Sequence, residues 1–216
     1  TEQDDRNLGD AVLHALRPGG SCLLVVDAPV RKWRSVGTER GLQPWRLMLD
    51  WADRVGLRVV ERLAYGRTGT PGSYTGRFRN DWEPMFWFQR HGDGRTQYFD
   101  KTPLDGPSGY VLKENATVSS RKSDGTMYAR VASGYAAENG IKRRGTYWDY
   151  GFVGNGQSGS MACEASEHPA RFPMRLADDV IQCFSPAGGL VCDPFLGSGT
   201  TALSAAKHGR RFVGGA

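Results

Sequence analysis

Leu190-Val191-Cys192-Asp193-Pro194-Phe195-Leu196-Gly197-Ser198-Gly199-Thr200-Thr201-Ala202-Leu203-Ser204-Ala205-Ala206 is the stretch that decides the fold. A short apolar run closes on Asp193, glycines follow at 197 and 199, and a Thr-Thr pair opens an Ala-rich segment. Strand, tight loop and helix are the elements this pattern predicts. The glycines let the backbone approach a ligand, and the free N–H groups opening the helix favour an anionic group there. Three readings of the loop compete. A phosphate-gripping P-loop needs a Lys before the Ser/Thr and a longer glycine spacing, and this chain has neither. A dinucleotide fingerprint needs a third small residue three positions after the second Gly, where Ala202 is tolerated. The plain reading is an ordinary strand-to-helix turn.

The full string Asp193-Pro194-Phe195-Leu196-Gly197-Ser198-Gly199-Thr200-Thr201 is more specific, because it resembles the cofactor motif of S-adenosylmethionine-dependent DNA amino-methyltransferases. Upstream, His168-Pro169-Ala170-Arg171-Phe172-Pro173, a helical stretch from Met174 to Phe184 and Ser185-Pro186-Ala187-Gly188-Gly189 are similar to the segment before that motif in members with the permuted "beta" motif order. The resemblance implies S-adenosyl-L-methionine as cofactor. It implies cofactor contacts from His168, Pro169, Pro173, Asp193, Phe195, Gly197, Ser198, Gly199, Thr200 and Thr201. Many members carry Lys before the second Pro, where Phe172 stands, so no charge contact is carried over from that position. The fold it implies is α/β, a Rossmann-like methyltransferase sheet with helices on both faces, here incomplete, plus an irregular inserted recognition region.

Working outward, 216 residues with 39% hydrophobic content suffice for one sizeable core, as one domain or one domain with an insertion. No apolar run reaches membrane-spanning length and no signal peptide is visible, so a soluble, cytoplasmic protein without a membrane partner is expected. Cys22, Cys163, Cys183 and Cys192 form no C-x-x-C pair, which points away from a zinc site and from a disulfide framework. The first residue is Thr, and Arg211 to Ala216 reads as a strand broken off. Both ends read as cut, so the chain is expected to be a fragment.

A helix over Asp4–Leu16, stopped by Arg17-Pro18-Gly19-Gly20, leads into the apolar run Ser21–Val26, the pattern of a parallel strand buried on both faces. Asp27 to Gln43 reads as a basic loop containing Arg31, Lys32 and Arg34. An amphipathic helix over Pro44–Val55 and strands over Leu57–Tyr65 and Pro84–Gln89 follow. Between the two strands, Gly66 to Arg79 is glycine-rich, basic and aromatic, with Arg67, Arg77 and Arg79, a composition suited to a nucleic-acid backbone. Residues 31–90 hold 12 basic and 6 acidic side chains, so this third of the chain carries the whole net charge of +5. A solvated Arg-rich surface and a phosphate-tracking face for double-stranded DNA are both compatible with that distribution.

From 91 to 167 the periodicity fades, and by resemblance this interval holds the target-recognition region. Lys142, Arg143 and Arg144 beside Tyr147 and Trp148 would suit phosphate contact plus stacking on a base. The expected organisation is 1–90 as the substrate-side half of the sheet, 91–167 as the insertion and 168–216 as the cofactor segment.

The family's Asp/Asn/Ser-Pro-Pro-aromatic catalytic motif is absent, so no catalytic residue is assigned. Asp193-Pro194-Phe195 is not that motif. In relatives an acidic residue that binds the ribose ends the strand after the glycine loop; here Ala216 aligns with it. By resemblance, a strand preceding Thr1 belongs between Leu190–Cys192 and Ser21–Val26. The 216 residues alone are therefore expected to be inactive and to fold with a gap in the sheet. Methyl transfer to adenine N6 or cytosine N4 is the function the resemblance implies. A catalytically inactive DNA-binding remnant and a methyltransferase acting on RNA or a small molecule are the rivals; the late position of the glycine loop argues against the second rival.

Overall fold

Strand β5 (Trp82–Gln89) organises the structure, because the run Met85-Phe86-Trp87-Phe88 is buried on both of its faces. Successive side chains of a strand point to opposite faces, so Phe86 and Phe88 serve one layer while Met85 and Trp87 serve the other. The computed structural model describes residues 2–28, 30–33, 37–67, 78–92, 98–107, 117–131, 141–151 and 173–215. These divide into two compact units, one formed by 1–100 with 146–216 and one by 101–145.

In the first unit β5 lies antiparallel between β1 (Ser21–Val25) and β4 (Arg58–Gly66), and β10 (Tyr147–Asp149) adds to β4 in parallel, giving the order β1-β5-β4-β10. Helices α1 (Glu2–Ala15) and α2 (Gln43–Asp53) cover the Phe86/Phe88 face. Leu47, Trp51, Val55, Leu57, Phe86 and Phe88 form its dry centre, with Leu8, Val12 and Leu16 packed against it. Gly9 permits this approach, since a Cβ there would stand 2.7 Å from the Trp51 indole nitrogen. That nitrogen in turn donates to the Asp5 carbonyl at 3.2 Å. On the opposite face the Trp87 ring meets Phe99 and Phe184, the last residue of α3 (Met174–Phe184), at centroid distances of 4.7 and 4.9 Å. Helices thus cover both faces, and the mixed α/β class is as the sequence implied.

A second sheet consists of β11 (Leu190–Asp193) and β12 (Arg211–Gly214), parallel and in register from Leu190↔Arg211 to Asp193↔Gly214, joined by α4 (Thr200–Lys207). Among the described residues no strand joins β11 to β1. Among those residues β1 ladders only with β5, and β11 only with β12. Leu190 and Val213 are half exposed, at 55% and 50%. Burial is the main cause that pushes the Cys22 thiol up to about 12.

Two expectations need correction. Ser21–Val25 is neither parallel to its partner nor buried on both faces; it is antiparallel to β5 and half-buried throughout. An apolar run reports a tendency to burial, whereas direction depends on which strand supplies the ladder. The basic loop at 27–43 contains an antiparallel pair, β2 (Val30–Trp33) with β3 (Gly37–Arg40), whose backbone ladder needs no apolar side-chain period. Arg40 closes it onto the end of β1, donating to the Asp27 carboxylate at 2.5 Å and the Ala28 carbonyl at 3.1 Å.

In the second unit β6 (Gly106–Pro107) pairs with β9 (Ile141–Lys142), and β7 (Thr117–Arg121) with β8 (Met127–Val131), both antiparallel. β10 lies within 91–167 and ladders with β4 of the first unit.

Candidate functional site

The loop between β11 and α4 is built around Asp193. Its Oδ1 accepts from the Phe195 N–H at 2.9 Å, an Asx turn that fixes the exit from the strand. Its Oδ2 accepts from the Thr201 hydroxyl at 2.6 Å, fastening the first turn of α4 to the strand end. Asp193 thereby braces the loop from within. Gly197 and Gly199 both have positive φ, 53° and 83°, the left-handed backbone that glycine adopts without steric cost.

Gly199 is the N-cap of α4, with no side chain capping the helix, and its carbonyl receives the helical bond from the Leu203 N–H at 2.9 Å. The N–H groups of residues 200–202 lie ahead of that bond, the position at which a helix offers donors outward. A Cβ at Gly199 would meet nothing within 4 Å, so open space lies against this backbone. Phe195 is 69% exposed at the same loop, and the Ser198 and Thr200 hydroxyls are 3.2 Å apart. An exposed aromatic ring, uncapped N–H groups and open space beside an αL glycine fit a ligand with a flat ring system and an anionic end.

Behind the loop, α4 is held to α3 by a cluster that the sequence reading missed. Asp178 accepts from the buried Ser204 hydroxyl at 2.6 Å, the Lys207 ammonium at 2.6 Å and the His208 ring at 3.0 Å. Burial by itself would raise this carboxyl, but the hydrogen bonds from Lys207, Ser204 and His208 outweigh it and hold its pKa below the ordinary value. The neighbouring Asp179 accepts from the Tyr150 hydroxyl at 2.5 Å. Paired acids in the middle of an amphipathic helix, with a Ser among the alanines of the next, were the available signal. Pro173 is buried and is the N-cap of α3, so its described role is to start that helix. His168 and Pro169 lie outside the described residues.

Among the basic positions, Arg67 forms an ion pair with Glu83 at 2.7 Å, and burial raises the Glu83 carboxyl against the pull of that guanidinium. Arg79 is exposed. Arg31 and Lys32 stand in β2, where only the backbone is described; Arg34 and Arg77 lie outside the described residues. In the second unit Lys142 is exposed, while Arg143 is paired with Asp105 and, like Arg144, is only partly exposed. Trp148 is buried in the main sheet, at 4% exposure, and cannot serve as a stacking platform; its neighbour Tyr147 is half exposed. The alternation of a strand puts consecutive aromatics on opposite faces, which separates this pair.

A model of the DNA methylase family, covering N6- and N4-acting enzymes, matches residues 6–215. The type II methyltransferase M.ScaI of Streptomyces caespitosus is 33% identical over 132 residues, 61% of this chain and 38% of its own. The orphan methyltransferase M.BamHII of Bacillus amyloliquefaciens is 28% identical over 199 residues, 92% of this chain and 70% of its own. Among solved structures, the PvuII cytosine-N4-specific DNA methyltransferase superposes with a TM-score of 0.63 at 20% identity, covering 96% of this chain and 62% of that one. M1.HpyAVI in complex with SAM gives 0.57 at 15% identity, covering 97% and 74%. The two structures establish the fold, and the chain spans between about two fifths and three quarters of the length of these four proteins. With the family model matched along almost the whole chain, and the glycine loop standing where its motif predicts, the chain belongs to the N6/N4 DNA methylase family.

Proposed function

We propose that the protein transfers a methyl group from S-adenosyl-L-methionine to the exocyclic amino group of adenine (N6) or cytosine (N4) in double-stranded DNA. The observation that carries this is the loop from Asp193 to Thr201, with an αL glycine backed by open space and uncapped helix N–H groups beside an exposed Phe195. Bound there, the cofactor would supply an electrophilic methyl group. The backbone of Phe195–Gly199 and the start of α4 at Thr200 and Thr201 would hold it, with His168, Pro169 and Pro173 closing over its methionine end. Asp193 would keep the loop in shape through Phe195 and Thr201.

The basic stretch 31–90 would follow the DNA backbone through Arg31, Lys32, Arg34, Arg67, Arg77 and Arg79. Lys142, Arg143 and Arg144 would contribute from the second unit, and residues 91–167 would choose the sequence. The amino nitrogen must be turned out of the duplex and aligned with the methyl group, a task for which these residues contain no Pro-Pro-aromatic motif. We assign that step to the protein at the length of its relatives. Among the described residues no helix is long and apolar enough to cross a membrane, and a cytoplasmic location suits a DNA substrate.

Transfer of tritium from labelled S-adenosylmethionine to duplex DNA, followed by nucleoside analysis, is the test. Label in N6-methyladenine or N4-methylcytosine is expected from the protein at its relatives' length. Label confined to RNA, or no transfer at all, would refute the proposal.

A further inference from the structure

The hairpin of β7 and β8 is a two-stranded ribbon whose described side chains are exposed, apart from the partly exposed Ser120. Met127, Tyr128, Arg130 and Val131 are all exposed, and Met127 reaches 64%. Its register pairs Ser120 with Tyr128 and Arg121 with Met127, so these two pairs lie on opposite faces. One carries Arg121, Met127, Ala129 and Val131. The other carries Ser120, Lys122, Tyr128 and Arg130, tied together by an Arg130-to-Ser120 hydrogen bond at 2.8 Å and by the Lys122 ammonium lying 5.9 Å from the Tyr128 ring centre.

Residues 117–131 contain three basic side chains and a single acid, Asp124. That acid is occupied: its Oδ1 accepts from the Thr126 N–H at 2.8 Å and the Thr126 hydroxyl at 2.6 Å, closing the turn. The ribbon therefore keeps an excess of positive charge, three cations against one carboxylate that is bound into the turn. A two-stranded ribbon exposed on both faces is marginal alone in water and gains from a surface that covers it.

The geometry points to the major groove of double-stranded DNA as that surface, and we propose that β7–β8 enters it with the Ser120/Lys122/Tyr128/Arg130 face toward the bases. The major groove is about 12 Å wide and admits a two-stranded ribbon, whereas the groove of duplex RNA that would have to take it is too narrow. Five residues per strand at about 3.4 Å each give roughly 17 Å of ribbon, enough to pass several base pairs. Arg130, held in place by Ser120, has the bidentate fork that reads guanine O6 and N7. Lys122 at the tip meets a phosphate. This rests on the reading of the protein as acting on duplex DNA, and it deepens that reading by naming the element that chooses the sequence.

The test uses the 216-residue chain, a random-sequence pool of duplexes and fluorescence anisotropy over a range of salt concentrations. Lys122→Ala should lower the slope of log affinity against log salt by about 0.9, the value of one phosphate contact. Arg130→Ala should leave the slope nearly unchanged but cost on the order of ten- to a hundredfold in preference for sequences the parent selects. Dimethyl sulfate treatment of those sequences should show guanine N7 protected by the parent and exposed with Arg130→Ala. Because these side chains stand on an exposed ribbon, both variants should melt with the parent. If the parent binds DNA and both variants keep its slope and preference, the ribbon is not the reading element, although the DNA reading survives. Protection of adenine N3 in the minor groove alone would also overturn it. A parent that binds no duplex DNA, or binds duplex RNA better, would sink both the ribbon and the reading beneath it.

Discussion

Replacing Asp178 by Ala should unfasten the helix that carries the cofactor loop. Asp178 is the shared acceptor of Ser204, Lys207 and His208, and its side chain is 14% exposed. The Ser204 hydroxyl has no exposure, so its lost charge-assisted bond weighs about 1.5–3 kcal/mol. Lys207 is more than half exposed, and its pairing adds about 0–1 kcal/mol after solvent screening. A loss of roughly 2–4 kcal/mol at neutral pH follows, measurable by urea unfolding of the chain. The pH dependence has a definite sign. Because the folded carboxyl has a lowered pKa, its contribution is complete above the unfolded value of about 3.9 and is lost as pH falls through the folded value. The gap between parent and Asp178→Ala should therefore narrow as the medium is made more acid than pH ~4. Asp178→Asn, which keeps the shape and one acceptor, should fall between the two. A loss below about 0.5 kcal/mol at pH 7, the range of ordinary surface substitutions, or a gap that stays constant into acid, would refute the reasoning.

Gly197→Val should abolish binding of S-adenosylmethionine, because a β-branched residue resists the positive φ observed there and would intrude on the loop; calorimetry showing parental affinity would remove the loop from the site. Replacing Arg77 and Arg79 by Ala should weaken binding to all duplexes alike and reduce the salt slope by about 0.9 for each phosphate left without its cation, and an unchanged slope would exclude that segment from the interface. Gly9→Val should cost about 1–3 kcal/mol of stability through its collision with Trp51, whereas an unchanged urea midpoint would show that α1 is free to move away from α2.

The sequence determined what depends on local chemistry. Glycines at 197 and 199 stand at positive φ, the left-handed backbone that glycine adopts without steric cost, and that freedom is written in the residue types. The helices over 2–15 and 43–53 follow from apolar spacing, and the strands over 58–66 and 82–89 from alternation bounded by turns. Tertiary structure alone decided what depends on partners distant in the chain. The β1 run gives no sign that it lies antiparallel to β5, because hydrophobicity sets burial but not the direction of a ladder. The β2–β3 and β7–β8 pairs were hidden because backbone bonds between polar strands leave no hydrophobic period. Tyr147 and Trp148 look alike in sequence, yet pairing of β10 with β4 turns one ring out and buries the other. Most telling is Asp178, an ordinary helix acid until folding brings Ser204, Lys207 and His208 to it across about 26 to 30 residues of chain, since only spatial convergence turns separate polar side chains into one network.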